Sequence, residues 1–125
     1  MEYATKAKGV TYSPYTASGS CKSADEVASD FKKLAPFSLI RLYSTDCSGV
    51  ENSLAAISSS QKLFLGIYNI DTNTITSGLQ AIKTAVEASS RGWGAVDTIS
   101  IVTNRSTMGK PPFLISCLHY PLLVL

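Results

Sequence analysis

Ser38-Leu39-Ile40-Arg41-Leu42-Tyr43, followed by the loop Ser44-Thr45-Asp46-Cys47 and by Ser48 and Glu51, decides how this chain folds. Leu39, Ile40 and Leu42 make a short apolar run of strand length. Ser48 and Glu51 have the spacing of a capping box, in which hydroxyl and carboxylate each satisfy a backbone N–H that the first helical turn leaves unpaired. A helix with Val50, Leu54 and Ile57 on its inner face is expected to follow. Strand, loop and capped helix make one βα unit, the element of a parallel sheet with helical crossovers.

The same unit recurs on both sides. Upstream, Gly9-Val10-Thr11-Tyr12-Ser13 reads as a strand, and the loop Pro14 to Lys22 leads to a second capping box, Ser23 with Glu26. Val27, Phe31 and Leu34 then recur at helical spacing until Pro36 stops the helix. Downstream, Lys62-Leu63-Phe64-Leu65-Gly66-Ile67-Tyr68 is a nearly continuous apolar run, as a parallel strand covered on both faces requires. Ile75, Leu79, Ile82 and Val86 predict the inner face of a third helix that stops near Gly92, and Val96-Asp97-Thr98-Ile99-Ser100-Ile101 predicts a fourth strand. The fold class is therefore α/β, with four parallel strands in sequential order and three helices on one side. After Ile101 the pattern fails: Val102 to Lys110 is polar and aperiodic, and Pro111 to Leu125 is almost wholly apolar. The chain divides into an extension at 1–8, an α/β unit at 9–101 and a divergent tail at 102–125, not native to the fold.

Composition narrows the function. A formal net charge of +2 with no concentration of Lys and Arg gives no reason to expect a nucleic-acid partner. His119 is the single histidine, and no C-x-x-C or H-x-x-x-H spacing exists, so neither a metal nor a cofactor is expected. The amino terminus lacks the basic start and apolar stretch of a secretory signal. The apolar ending is shorter than the roughly 20 residues that span a bilayer, and prolines interrupt it.

Five runs, Gly9 to Tyr15, Ser20 to Ser23, Phe37 to Cys47, Lys62 to Tyr68 and Val96 to Ile101, resemble in order and spacing the fungal branch of glycoside hydrolase family 17, whose members are cell-wall β-1,3-glucanases and glucanosyltransferases. The resemblance implies a (β/α)8 TIM barrel, of which this chain supplies the N-terminal half, since a whole barrel takes about 250 residues. It also implies cleavage or transfer on β-1,3-glucan with retention of configuration, and residence in the cell wall after secretion. Family members continue the fourth strand into Gly-Asn-Glu, whose Glu is the general acid/base; Val102-Thr103-Asn104-Arg105 stands here instead. The nucleophilic Glu belongs to a later strand. Retaining chemistry needs two carboxyl groups about 5 Å apart, so no catalytic residue is assigned and the chain is expected to be inactive. An intron read through or a frameshift directly after Ile101 accounts for the change of character.

In such barrels the site lies at the carboxyl ends of the strands. Tyr12, Tyr43 and Tyr68 are placed there as sugar-binding candidates, against the plainer reading of partly buried core tyrosines. Alternation puts Ile40 and Leu42 toward the helices and Arg41 with Tyr43 toward the barrel interior, where Arg41 either orders the catalytic carboxylates or makes a structural ion pair. Asp46 either binds a sugar hydroxyl or is a loop residue. Cys21 and Cys47 lie in the loops leaving two neighbouring strands, placed for a disulfide, with free thiols the alternative. A half barrel also leaves the outer edge of its first strand and the edge of its fourth open, so self-association is expected. A different class of protein, a small non-catalytic α/β carbohydrate-binding or interaction domain, would use the same tyrosine-rich edge.

Overall fold

The computed structural model describes residues 8–101 and the backbone of residues 122–124. The expectations for the first residues, for Cys117 and His119, and for most of the divergent tail lie outside the described residues. In chain order the elements are β1 (Gly9–Thr11), α1 (Ala24–Lys33), β2 (Leu39–Leu42), α2 (Gly49–Ala56), β3 (Lys62–Ile67), α3 (Thr72–Ala88), a 3-10 turn (Gly92–Ala95), β4 (Val96–Ile101) and β5 (Leu122–Val124). All neighbours in the sheet are parallel, in the order β4-β3-β2-β1-β5. Four consecutive strands joined by three helices are the start of a (β/α)8 arrangement.

Pleating divides each strand between two environments. Val10, Ile40, Leu42, Leu63, Leu65 and Ile67 pack against Val27, Phe31, Val50, Ile82 and Val86 of the helices in one apolar cluster. The other face carries Thr11, Arg41 and Phe64 in one register row, Thr11 beside Arg41 and Arg41 beside Phe64. All three are buried. The sequence alternation in Ile40, Arg41 and Leu42 is thus the alternation of helix layer and sheet interior.

The first capping box forms as expected: Glu26 N–H donates to Ser23 Oγ at 3.2 Å, and Ser23 N–H donates to Glu26 Oε2 at 2.8 Å. The second does not. Ser48 has φ +50° and makes no side-chain capping bond, because Cys47 and Ser48 both take left-handed conformations and a cap hydroxyl reaches the helix only from extended backbone. The first turn of α2 is entered instead through a tight turn in which Gly49 N–H donates to Asp46 O at 2.9 Å.

Three further expectations are corrected. Leu79 is 41% exposed, and the buried stripe of α3 is Gly78, Ile82, Ala85 and Val86. Gly78 takes the inward place because Ile67 approaches it so closely that a Cβ there would lie 3.1 Å from Ile67 Cγ1. The helix ends at Ala88, where Ser89 N–H and Oγ both donate to Val86 O, and Gly92, with φ +57°, belongs to the following turn. Finally, the outer edge of β1 is not open: Gly9, Val10 and Thr11 pair with Leu122, Leu123 and Val124. An unpaired parallel edge offers N–H and C=O groups that any extended apolar segment can satisfy, without the alternation expected of an exposed strand.

On the helix side, Tyr12 hydroxyl donates to Asp30 Oδ2 at 2.8 Å, and Lys22 Nζ bonds the same oxygen at 2.8 Å while lying 4.7 Å from the Tyr12 ring centre. Burial works to raise the Asp30 pKa, but the hydrogen bonds from Lys22 and Tyr12 outweigh it and hold the carboxyl below its ordinary value. Burial, and then the bond to Asp30, push the Tyr12 hydroxyl well above the usual tyrosine range. The depressed Asp30 contributes stability above the unfolded carboxylate value of about 4 and loses it as pH falls. The raised Tyr12 contributes below about pH 10 and loses it as pH rises. Thermal melts across pH should therefore show a plateau with both limbs, and Asp30→Asn should flatten the acid limb at a cost of about 1 kcal/mol at neutral pH. An acid limb unchanged by Asp30→Asn would remove Asp30 as its origin.

Candidate functional site

The loops at the carboxyl ends of β1, β2 and β3 meet at one edge. The loop after β1 folds back on itself: Tyr15 bridges Cys21, Lys22 N–H donates to Pro14 O at 2.8 Å, and Gly19 turns the tip at φ +88°. A disulfide joins Cys21 to Cys47 in the loop after β2, with Cα atoms 5.2 Å apart. Beside it, Tyr15 hydroxyl donates to Asp46 Oδ2 at 2.8 Å. That bond raises the Tyr15 pKa, because ionising the phenol would place a second negative charge against the carboxylate. Two loops that leave neighbouring strands are in this way fixed to each other.

Next to this clamp, three tyrosines are exposed: Tyr15 by 38%, Tyr43 by 42% and Tyr68 by 52%. Beneath Tyr43 lies Arg41, 1% exposed, with its guanidinium carbon 4.3 Å from the Tyr43 ring centre and 5.0 Å from that of Phe64. A cation stacked on two rings away from water fixes their orientation, at about 1–2 kcal/mol. Tyr43 is thus exposed on one side and supported by a planar cation on the other. Arg41, Tyr43, Asp46 and Tyr68 all belong to the carboxyl-end side of the sheet. Tyr12 lies apart from them: it is 4% exposed, on the helix face, in edge contact with Phe31 at 5.1 Å. The strand parity that sends Val10 toward the helices sends Tyr12 there too.

Sequence reasoning did not single out Tyr15, whose role depends on a hydrogen bond across 31 positions to Asp46. Nor did it single out Gln61, 1% exposed at the opposite end of β3, whose Nε2 donates to Leu34 O and Phe37 O at 2.9 Å each. Its position directly before an apolar run was the available signal. Arg91 Nη1 donates to Ser58 O and Gln61 O at 2.8 Å, so that end of the sheet is a structural anchor.

The profile of the BtgE/BtgC glycoside hydrolase domain matches residues 9–107. The chain belongs to this glycoside hydrolase family. It is 52% identical over 99 residues to the Saccharomyces cerevisiae "Probable family 17 glucosidase SCW4", covering 79% of this chain and 25% of that protein. It is 54% identical over 98 residues to "Probable family 17 glucosidase SCW10" of the same yeast, covering 78% of this chain and 24% of that protein. It is 48% identical over 95 residues to "Cell surface mannoprotein MP65" of Candida albicans, covering 76% of this chain and 24% of that protein. The chain spans about a quarter of the length of these curated relatives.

Set beside the needs of a glycoside hydrolase, the carboxylates at this edge have other partners. Asp46 accepts from Tyr15, and Asp71 caps α3 by accepting from Thr74 N–H at 2.9 Å, a bond that lowers its pKa. Both carboxylates are engaged as hydrogen-bond acceptors within the chain. Asp97 lies at the start of β4, exposed, and accepts from Thr98 Oγ1 at 2.8 Å. Among the described residues no group of three or more His, Cys, Asp or Glu is placed to hold a metal ion, and no helix is long and apolar enough to cross a membrane. What this edge offers chemically is aromatic surface, hydroxyls and fixed acceptors, a set suited to holding a polyol.

Proposed function

We propose that residues 9–101 form part of the substrate-binding wall of a retaining glycosidase that acts on β-1,3-glucan of the fungal cell wall. The observation that carries this reading is the pair of exposed rings, Tyr43 and Tyr68, at the carboxyl edge of the sheet in a chain of this family. A sugar presents C–H groups on its faces and hydroxyls on its rim, so it pairs with an aromatic face flanked by polar groups. Arg41 holds Tyr43 from beneath, and Asp46 and Tyr15 supply polar atoms beside it. The surface location named for the Candida relative supports residence at the cell wall. The general acid/base and the nucleophile are not among these residues, so we assign binding to this wall and catalysis to none of its side chains.

The test separates binding from turnover. The 125-residue polypeptide should bind laminari-oligosaccharides in calorimetric or NMR titration yet release no reducing sugar from laminarin above background. Without an acid and a nucleophile the chemical steps have no route that binding can replace. Tyr68→Ala and Tyr43→Ala should each weaken binding by about tenfold, equivalent to about 1.4 kcal/mol. Sugar release by the purified chain would show that the catalytic groups lie within it, and unchanged affinity in both variants would remove the tyrosine wall.

A further inference from the structure

A cavity adjoins this wall on its helix side, between α3 and the loops after β2 and β3. Its volume is about 300 Å³, and Thr45, Asp46, Tyr68, Asn69 and Ser77 line it above a floor of Ile67. Arg41, Tyr43 and Phe64 are not in its lining, while Asp46 and Tyr68 are shared with the wall, so the cavity adjoins the wall without including its Arg41–Tyr43 stack. Its existence follows from the packing of α3: Gly78 lets the helix close directly onto Ile67, while Thr74 and Ser77, one turn and one residue before it, present only short side chains to the loop after β2.

We propose that this cavity is a subsite for one hexopyranosyl residue of the glucan. The volume is at the bottom of the range for small-molecule sites, enough for a single ring and too small for an oligosaccharide. The lining carries both donors and acceptors. Ser77 Oγ donates to Asn73 O at 2.9 Å, which leaves its lone pairs to accept. Asn69 Oδ1 accepts from Ile70 N–H at 2.8 Å, which leaves its NH2 group to donate. Asp46 is an acceptor already oriented by Tyr15. Sugar hydroxyls both donate and accept, and a wall offering both roles around an apolar floor satisfies the rim and the face of one ring together. Tyr68 lines this cavity and is 52% exposed, so one tyrosine serves both surfaces. The residue bound there comes either from the glucan main chain as it passes over the rim or from a single-sugar side branch.

This inference rests on the glucan-binding reading above, and the experiment is chosen to separate the two. Ser77→Trp on the exposed flank of α3 would fill the cavity without touching Tyr43. Linear laminaripentaose and the same pentaose carrying one glucosyl branch are titrated against the wild-type chain, Ser77→Trp, Thr45→Ala and Tyr43→Ala, each first confirmed as folded by circular dichroism. We expect Ser77→Trp to weaken binding about tenfold and Thr45→Ala about threefold. A loss confined to the branched ligand assigns the cavity to a side branch, and an equal loss for both assigns it to the main chain. Thr45→Ala carries the test if the tryptophan variant does not fold. Affinities unchanged in both cavity variants but reduced in Tyr43→Ala would overturn the subsite and leave the wall standing. A wild-type chain that binds neither ligand would overturn both.

Discussion

Replacing Cys21 and Cys47 with Ser is expected to lower the stability of the chain by about 3.5 kcal/mol. The bridge closes a loop with a sequence separation of 26, and the figure is the entropy that this closure removes from the unfolded chain. At about 4 °C or more per kcal/mol, the melting temperature should fall by roughly 15 °C. The same loss should follow when the wild-type chain is reduced with dithiothreitol. The effect should extend beyond stability. Cys47 and Ser48 hold φ values of +59° and +50°, a region that costs about 1 kcal/mol or more for each residue with a side chain. With the bridge gone, Tyr15 still bonds Asp46 across these two loops, but that bond is exposed. Ser44 to Ser48 should then sample extended conformations and carry Asp46 away from Tyr15. Glucan affinity should fall in the Cys21→Ser, Cys47→Ser double variant even well below its melting temperature. A melting temperature that does not respond to dithiothreitol would show that the loops are held without the bridge.

The contrast between Ser23 and Ser48 shows where sequence reading stops. Both sit three residues before a glutamate at the start of a helix, and only Ser23 forms the box. The difference is not local: Ser48 follows a cysteine tied to Cys21 in another loop, and that tie sets its backbone. The sequence reading located β4 to the residue, but not its break in alternation: Val96 and Ile99 have opposite parity and both pack against the core, because the pairing with β3 shifts register between Leu63 and Phe64. It misplaced Leu79 because a glycine carries no hydrophobic signal, although Gly78 is the residue that meets Ile67. Arg41 was legible as interior for the same reason that Ile40 and Leu42 were legible as helix-facing. Its stacking between Tyr43 and Phe64 was not, since it depends on the register of β2 with β3. The site inherits this division. Strand parity indicates which side chains reach the carboxyl edge, while contacts between loops decide which of them meet.

Gly66→Ala is expected to damage both the fold and the site, although the added group is a single methyl. A Cβ at Gly66 would lie 2.7 Å from Leu42 O and 2.8 Å from Tyr43 O. These are backbone atoms at the end of β2, so no rotamer change relieves the contact. Overpacking of this kind costs about 2–3 kcal/mol, and β2 must shift away from β3 to accommodate it. The shift falls on Tyr43, whose ring is registered on Arg41 at 4.3 Å and whose other side forms the proposed glucan-binding wall. Gly66→Ala should therefore weaken laminaripentaose binding about as much as Tyr43→Ala, roughly tenfold, although Gly66 offers no side chain to a ligand. Gly94→Ala is the control: nothing lies within 4 Å of a Cβ there, and its melting temperature and affinity should stay close to wild type. If Gly66→Ala melts and binds like Gly94→Ala, the end of β2 is not held by this close approach, and the position of Tyr43 must come from Arg41 alone.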